Sequence, residues 1–310
     1  MKLSEAVEAF LLSRVGVTSP ATVAWYRKRL ASLPVFLGGV DIGAISVHDL
    51  RRWRAALFER KTRYESHPYR RHPEPGGLSP FTLAGYVRAA RVLFSWLEAE
   101  GLLSANPARR LEIPRVPKGQ VKGIARDDVR RMFAAARETS ARDFALVWFF
   151  YSTGARLSGA AGLLLSELHL GEGLAYVVEK GRKRRAVFLV PEAVQAMRAY
   201  LVDRQNVSAL RVFLGVKGPL TGGGIYQVLR RLARMAGVDE DWNPHLWRHR
   251  RLRDLQAAGM PLGLVSQIAG HSSEHITADL YGRVGEDELE RAFFEYAGRV
   301  SAGTPFVAAP

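Results

Sequence analysis

Apolar residues in the first hundred positions recur at the spacing of helices, and no strand-like alternation is present. Val7, Phe10 and Leu11 share one face of a first predicted helix. Serine N-caps, two of them followed by proline, predict where three more begin. These helices are predicted to run from Ser19 to about Leu37, from Ser46 to about Lys61, and from Ser79 to Gly101. The pattern predicts a small all-helical domain.

The pattern changes after a stretch of prolines, glycines and cations, which predicts a linker. Beyond it, Phe144 to Tyr151 predicts a buried helix, and Glu286 to Arg299 predicts a final amphipathic helix. Two short β-patterned runs, Leu174 to Glu179 and Arg185 to Val190, predict a hairpin with a basic tip. The predicted boundaries are 1–111 for the first domain, 112–123 for the linker, 124–300 for the second domain and 301–310 for a tail.

Composition adds a strongly basic charge to this picture. Among 310 residues, Lys and Arg outnumber Asp and Glu by 45 to 30, which gives a formal net charge of +15. Such an excess favours a polyanionic partner, above all nucleic acid, although it also suits a solvated surface. The chain has no cysteine, which excludes disulfides, thiolate zinc sites and thiol nucleophiles. No signal peptide and no long apolar run are found, so we expect a cytoplasmic protein without a membrane span.

The most informative motifs lie between His245 and Tyr281. His245 and Arg248 form a His-x-x-Arg motif, and Gly270 opens a Gly-His-Ser-Ser motif that is followed by Ile-Thr-x-Asp-x-Tyr. Guanidinium groups grip phosphate through two parallel hydrogen bonds, imidazoles donate to it, and a phenol can attack it. This combination predicts a site for a phosphate group.

Four segments in order carry a resemblance to a known family: TGARLSGAAGLLLSEL, VVEKGRKRRAVFL, HLWRHR and GHSSEHITADLYGRV. Together they resemble the tyrosine site-specific recombinases, most closely the phage and mobile-element integrase branch, and are similar to Xer-type recombinases. The resemblance covers nearly the whole chain. It implies a helical, SAM-like core-binding domain followed by a mainly helical, mixed α/β catalytic domain with a small antiparallel sheet, the DNA breaking-rejoining fold.

The resemblance also implies a catalytic set and a reaction. Its members are Arg156, Lys180, His245, Arg248, His271 and Tyr281, with Tyr281 as the nucleophile. Two arginines would clamp the phosphate, and a lysine on the hairpin would protonate the departing 5′ oxygen. The implied product is a 3′-phosphotyrosine, formed and resealed without metal or ATP, so no cofactor is expected. The implied assembly is a tetramer on two DNA attachment sites, coupled through the final helix.

Basic residues outside this set are candidates for contacts with double-stranded DNA. Those selected are Arg27, Arg51, Arg88 and Arg91 in the first domain and Arg182 and Lys183 on the hairpin. Each of the helical arginines taken singly is better explained as a solvated surface charge.

Two departures from the family pattern leave alternatives open. Gly159 stands where the family usually has an acidic residue, three positions after Arg156, so Arg156 is expected to be less well oriented. The arginine-rich run from Arg250 to Arg253 would either bind DNA or disturb packing. Gly159 supports the alternative of a DNA-binding accessory protein without turnover. A type IB topoisomerase is a further alternative, because that class shares the same chemistry. Zinc at the i,i+4 histidine pairs is disfavoured, because Arg248 lies between one pair.

We predict that DNA affinity falls steeply with salt, because cations that neutralise phosphates release counterions. The measurement is fluorescence anisotropy of a labelled duplex over a series of salt concentrations. Binding that stays flat from low to moderate salt would contradict an interface dominated by phosphate contacts.

Overall fold

The computed structural model describes residues 1–63, 72, 74–117, 124–179, 184–204, 208–238, 243–270 and 285–302. They form two compact units, Met1–Gly119 and Gln120–Pro310. Each unit has its own hydrophobic core. Within these ranges every helix is too short or too polar to cross a membrane.

The first unit is built from helices around a core that includes Phe10, Trp53 and Phe94. Its helices are α1 (Leu3–Arg14), α2 (Pro20–Leu30), α3 (Ser32–Leu37), α4 (Val47–Phe58) and α5 (Pro80–Ala99). The predicted serine caps are confirmed: the side chains of Ser19, Ser46 and Ser79 each accept a hydrogen bond from a backbone N–H in the first helical turn. These bonds satisfy donors that the helix itself leaves unpaired.

Three details of the predicted first domain were wrong. The helix from Ser19 ends at Leu30, and a second helix follows; Pro34 lacks an N–H, and its ring would clash with the preceding turn of a continuous helix. The helix from Ser46 ends at Phe58 rather than near Lys61. A two-residue antiparallel pair, β1 (Thr62–Arg63) with β2 (Glu74–Pro75), interrupts the all-helical pattern. Strands this short create no alternating apolar face, so the sequence pattern does not reveal them.

The second unit combines helices with a three-stranded antiparallel sheet of order β3-β4-β5. Its helices are α6 (Arg126–Thr139), α7 (Ala141–Thr153), α8 (Leu157–Gly162), α9 (Pro191–Asp203), α10 (Gly222–Met235), α11 (His245–Ala257), α12 (Leu262–Ala269) and α13 (Glu286–Ala302). Its strands are β3 (Leu168–His169), β4 (Leu174–Val178), β5 (Arg184–Phe188), β6 (Leu214–Gly215) and β7 (Gly218–Pro219). The predicted hairpin is β4-β5, with Leu174 opposite Phe188 and Val178 opposite Arg184.

Helix α7 forms the centre of the second unit. Its residues from Ala145 to Thr153 are all buried, because α6, α9 and α11 pack around it. The Ser152 hydroxyl donates to the Phe188 carbonyl at 3.0 Å and accepts from the Val190 N–H at 2.8 Å. These two bonds fix the end of α7 against the end of β5.

Helix α13 packs with its apolar face on its own unit. Phe293 is fully buried, with its ring 5.3 Å from the Phe188 ring and 4.9 Å from the Arg251 guanidinium carbon. The sequence predicts that this helix docks on a neighbouring protomer. In the single chain, the same face lies against α11, α12 and β5.

We predict that Phe293→Ala lowers the free energy of unfolding by about 3–5 kcal/mol, because it removes a buried aromatic ring and leaves a cavity. The measurement is urea unfolding followed by circular dichroism. Val216→Ala is the control, since Val216 is fully exposed and should change stability by less than about 0.5 kcal/mol. Equal effects of the two substitutions would contradict the observed packing of α13.

Candidate active site

Arg156 lies at a sharp turn between α7 and α8. Gly154 ends α7 in the left-handed conformation, at φ 57°, which glycine adopts without strain. The Thr153 hydroxyl accepts a hydrogen bond from the Ala155 N–H at 3.1 Å and thereby closes the turn. Arg156 then occupies the N-cap of α8, with 28% of its side chain exposed. The buried end of α7 therefore sets the point from which the Arg156 side chain projects.

Arg248 projects from the first turns of α11 and is buried. Its Nη1 donates to the Gly154 carbonyl at 2.9 Å, and its Nη2 donates to the Ala269 carbonyl. Burial, together with the nearby charges of Arg156 and Arg185, lowers the pKa of Arg248 to about 10.

Three arginines meet at the C-terminal end of α12, and we call Arg156, Arg185 and Arg248 the guanidinium cluster. Arg185 donates to the Ile268 carbonyl at 2.6 Å, and Arg156 donates to the Gly270 carbonyl at 3.3 Å. With the Arg248 bond, three successive carbonyls accept from three arginines. The last carbonyls of a helix lack partners within it and carry partial negative charge. The same donors have the chemistry to bind phosphate oxygens.

Glu179 is the carboxylate that faces the guanidinium cluster, and it is buried. Its Oε1 accepts from the Arg156 backbone N–H at 2.7 Å and lies 3.2 Å from Arg185 Nη2, and its Oε2 pairs with Arg156 Nη1. Burial by itself would raise the pKa of Glu179. The Arg185 charge, the Arg156 N–H bond and the Arg156 charge outweigh that effect, so the pKa lies below its ordinary value.

Arg156 and His245 line one cleft, which has a volume of about 730 Å³. Ser158 and Arg211 also line it, together with the first turn of α10. The His245 side chain is exposed there, and its backbone N–H donates to the Asn243 side chain at 3.1 Å. The cleft is open, and it places an imidazole and a guanidinium on the same surface.

Several predicted site residues lie outside the described residues. These are Lys180, His271 and Tyr281 of the catalytic set, and Arg182 and Lys183 of the hairpin tip. Chain connectivity nevertheless relates two of them to the cluster. Lys180 directly follows Glu179 and His271 directly follows Gly270, and consecutive Cα atoms are about 3.8 Å apart.

The candidate DNA contacts of the first unit differ in their surroundings. Arg51 and Arg88 are exposed. Arg27 is exposed but pairs with Glu8 at 3.1 Å. Arg91 donates to the Leu111 carbonyl at 3.4 Å.

Two arginines of the run on α11, Arg250 and Arg251, make contacts within the second unit. Arg250 pairs with the buried Asp254 at 2.8 Å. Arg251 is buried. Its guanidinium carbon lies 5.8 Å from the centre of the Tyr151 ring and 4.9 Å from the centre of the Phe293 ring. Arg251 Nε and Nη2 are buried without a hydrogen-bond partner among the described residues, so the expectation that this run disturbs packing stays a prediction. Among the residues that the structure describes, no group of three or more acidic or histidine side chains could hold a metal ion.

Two residues of this site, Glu179 and Arg185, were not predicted by the motifs. A signal was nevertheless present, because residues two apart on a strand face the same side. Ala175 and Val177 face the core, which points Glu179 inward as well. Arg185 lies opposite Val177 in the ladder and shares that face. A buried carboxylate requires a partner, and the strand opposite carries one.

This chain resembles known proteins in sequence. The pattern of the phage integrase family matches residues 122–288. Tyrosine recombinase XerC of Neisseria meningitidis is 30% identical over 288 residues, covering 89% of this chain and 90% of that protein. Tyrosine recombinase XerC of Thermodesulfovibrio yellowstonii is 31% identical over 209 residues, covering 64% of this chain and 69% of that protein. The chain belongs to the phage integrase family.

A solved structure shares the fold of this family member. The Tn1549 transposon integrase, in complex with circular intermediate DNA, superposes with a TM-score of 0.72 at 18% identity, covering 93% of this chain and 97% of that chain. The predicted architecture, helical throughout most of the chain with a small antiparallel sheet, is confirmed. The relatives identify the chain as a site-specific recombinase and an enzyme.

We predict that Glu179→Gln makes stability less sensitive to acid. The pKa of Glu179 is lowered in the fold, so its ionised form stabilises the protein above its ordinary pKa, and this contribution is lost as the pH falls through the folded pKa. Urea unfolding between about pH 6 and about pH 3 should show a steeper loss for the wild type than for the variant. Exposed Glu138→Gln is the control. Parallel losses in the wild type and Glu179→Gln would contradict the pairing of Glu179 with the arginines.

Proposed function

We propose that this recombinase cuts and rejoins double-stranded DNA attachment sites through a covalent bond between Tyr281 and a 3′ phosphate. The observation that carries the proposal is the guanidinium cluster beside the cleft lined by Arg156 and His245. Transfer at a phosphodiester gathers negative charge on the non-bridging oxygens, and fixed arginines stabilise that charge without reorganising. In this proposal, those oxygens replace the Ala269 and Gly270 carbonyls as acceptors of Arg248 and Arg156.

In the proposed reaction, the Tyr281 oxygen bonds to phosphorus and the 5′ oxygen departs. His245 assists removal of the phenol proton, and Lys180 gives a proton to the departing oxygen. Arg156, Arg248 and His271 hold the phosphate. The 5′ hydroxyl of a second strand then attacks phosphorus and releases the tyrosine, so each step balances without ATP or metal.

Basic side chains would bring the DNA to this site. Arg51 and Arg88 are the candidates of the first unit that are exposed and have no ion pair among the described contacts. Arg27 and Arg91 would have to exchange their present partners for phosphate. Arg182 and Lys183 would contact DNA from the hairpin tip.

The proposed assembly is a tetramer on two duplexes, in which two protomers are active at once. Helix α13 would couple the protomers by moving its Phe293 face from its own unit to a neighbour. With DNA as the substrate, the enzyme would act in the cytoplasm at the nucleoid. The alternative of an accessory protein without turnover rested on Gly159, which lacks the usual acidic side chain. Because Glu179 provides a carboxylate to Arg156 instead, that alternative loses support.

We predict that Tyr281→Phe abolishes the covalent adduct with DNA, because it removes the attacking oxygen. A duplex is first selected from a random library by binding to this protein and is then nicked near its centre to trap the adduct. Affinity should change by no more than about fivefold, since one neutral hydrogen bond contributes about 1 kcal/mol.

Tyr296→Phe is the matched control and should still form the adduct, which is detected as a slow band on a denaturing gel. An adduct that persists in Tyr281→Phe would remove this tyrosine from the mechanism. If the wild type binds the selected duplex but never becomes trapped, the accessory-protein alternative would be favoured.

A further inference from the structure

We infer that Glu179 is the positioning residue for Arg156, and that Gly159 is small in this chain so that Glu179 can take that position. The inference deepens the proposed function and rests on it. It gives a specific role to a residue directly ahead of Lys180 that belongs to none of the motifs.

Glu179 holds Arg156 at two points. Its Oε1 accepts from the Arg156 backbone N–H at 2.7 Å, and its Oε2 pairs with the Arg156 guanidinium. The Glu179 side chain is 4% exposed, so water does not compete effectively for these bonds. The same carboxylate pairs with Arg185 at 3.2 Å, which limits its freedom to rotate. Backbone and guanidinium of one arginine are thus fixed by one carboxylate.

Gly159 provides the space that Glu179 occupies. A Cβ atom at position 159 would lie 3.3 Å from both Cγ and Oε1 of Glu179, and 3.3 Å from the Val177 Cβ. These contacts are tighter than ordinary van der Waals distances. Gly159 lies within α8 and does not have a positive φ, so its backbone conformation does not require glycine. The requirement is therefore one of space: a side chain at 159 and a glutamate at 179 compete for the same volume.

The carboxylate that holds Arg156 comes from the end of β4 and not from α8. Glu179 follows β4 immediately and precedes Lys180, whereas a carboxylate at position 159 would belong to α8. Arg156 is therefore held by the residue that directly follows β4 and directly precedes Lys180 in the chain. A carboxylate three residues along α8 from Arg156 would orient the arginine without that connection.

A simpler role for Glu179 is to neutralise buried charge without orienting Arg156. Moving the carboxylate from position 179 to position 159 distinguishes charge neutralisation from orientation of Arg156. Glu179→Gln keeps the shape and removes the charge, Glu179→Gly removes the side chain, and the double variant Gly159→Glu with Glu179→Gly returns a carboxylate to the same space from α8. Glu138→Gln is the control for loss of an exposed carboxylate.

The first measurement needs no DNA. The rate at which phenylglyoxal modifies Arg156 is followed by peptide mass spectrometry in the folded protein. We expect modification to be at least about fivefold faster in Glu179→Gln and Glu179→Gly than in the wild type, because Arg156 loses a charged partner. The double variant should return to within about twofold of the wild type.

The second measurement is the single-turnover cleavage rate on the nicked duplex. We expect the cleavage rate to fall by about tenfold or more in Glu179→Gln while DNA affinity stays nearly unchanged. The double variant should recover part of the lost rate. Gly159→Glu alone should also lose activity, because two glutamates then compete for one space. Should Glu179→Gly fail to fold, Glu179→Gln and the double variant supply the same comparison.

Unchanged modification of Arg156 in Glu179→Gln, or a double variant no better than the single ones, would overturn the inference. These outcomes are distinct from failure of the proposed function. A wild type that never cleaves would contradict the proposed function, whereas the modification rates would still decide whether Glu179 positions Arg156.

Discussion

Three buried or half-buried guanidinium groups lie together in this protein, and the site depends on how their charges are balanced. Like charges in a desolvated place repel, and the lowered pKa of Arg248 reports both its burial and its charged neighbours. One carboxylate, Glu179, and three carbonyls at the end of α12 supply the compensation. A phosphate would bring the negative charge that this arrangement only partly provides, which makes the cluster suited to a phosphodiester.

The rest of the second unit supports this cluster. Helix α7 is buried on all sides, and Ser152 ties its end to β5. The turn at Gly154 then fixes both the start of Arg156 and a carbonyl that accepts from Arg248. Helices α11 and α12 meet at the same place. Each arginine therefore projects from an element that the core holds in position.

Local features of the chain could be predicted because they depend on near neighbours. The Ser46 cap involves Asp49 three residues away, and the paired strands β4 and β5 are only a few residues apart in the chain. Predictions failed where a local signal was weak or competed with another. Pro34 ended a helix that the apolar pattern continued, and β1 and β2 are too short to show alternation. Arg250 pairs with Asp254, and Arg251 packs against Phe293 of α13. The types of these residues do not reveal that Arg251 and Phe293 meet.

The sequence by itself determined the chemistry available to this protein: motif residues in a fixed order, a strongly basic charge and helices bounded by recognisable caps. Only the tertiary structure decided which groups meet. Arg156 and Gly270 are 114 positions apart, and Arg248 and Gly154 are 94 apart. The structure also revealed that the carboxylate paired with Arg156 belongs to Glu179 and not to a residue of α8. The physical reason is that pairing between distant segments follows from the shape of the packed core, to which every element contributes, whereas caps and turns are decided within a few residues.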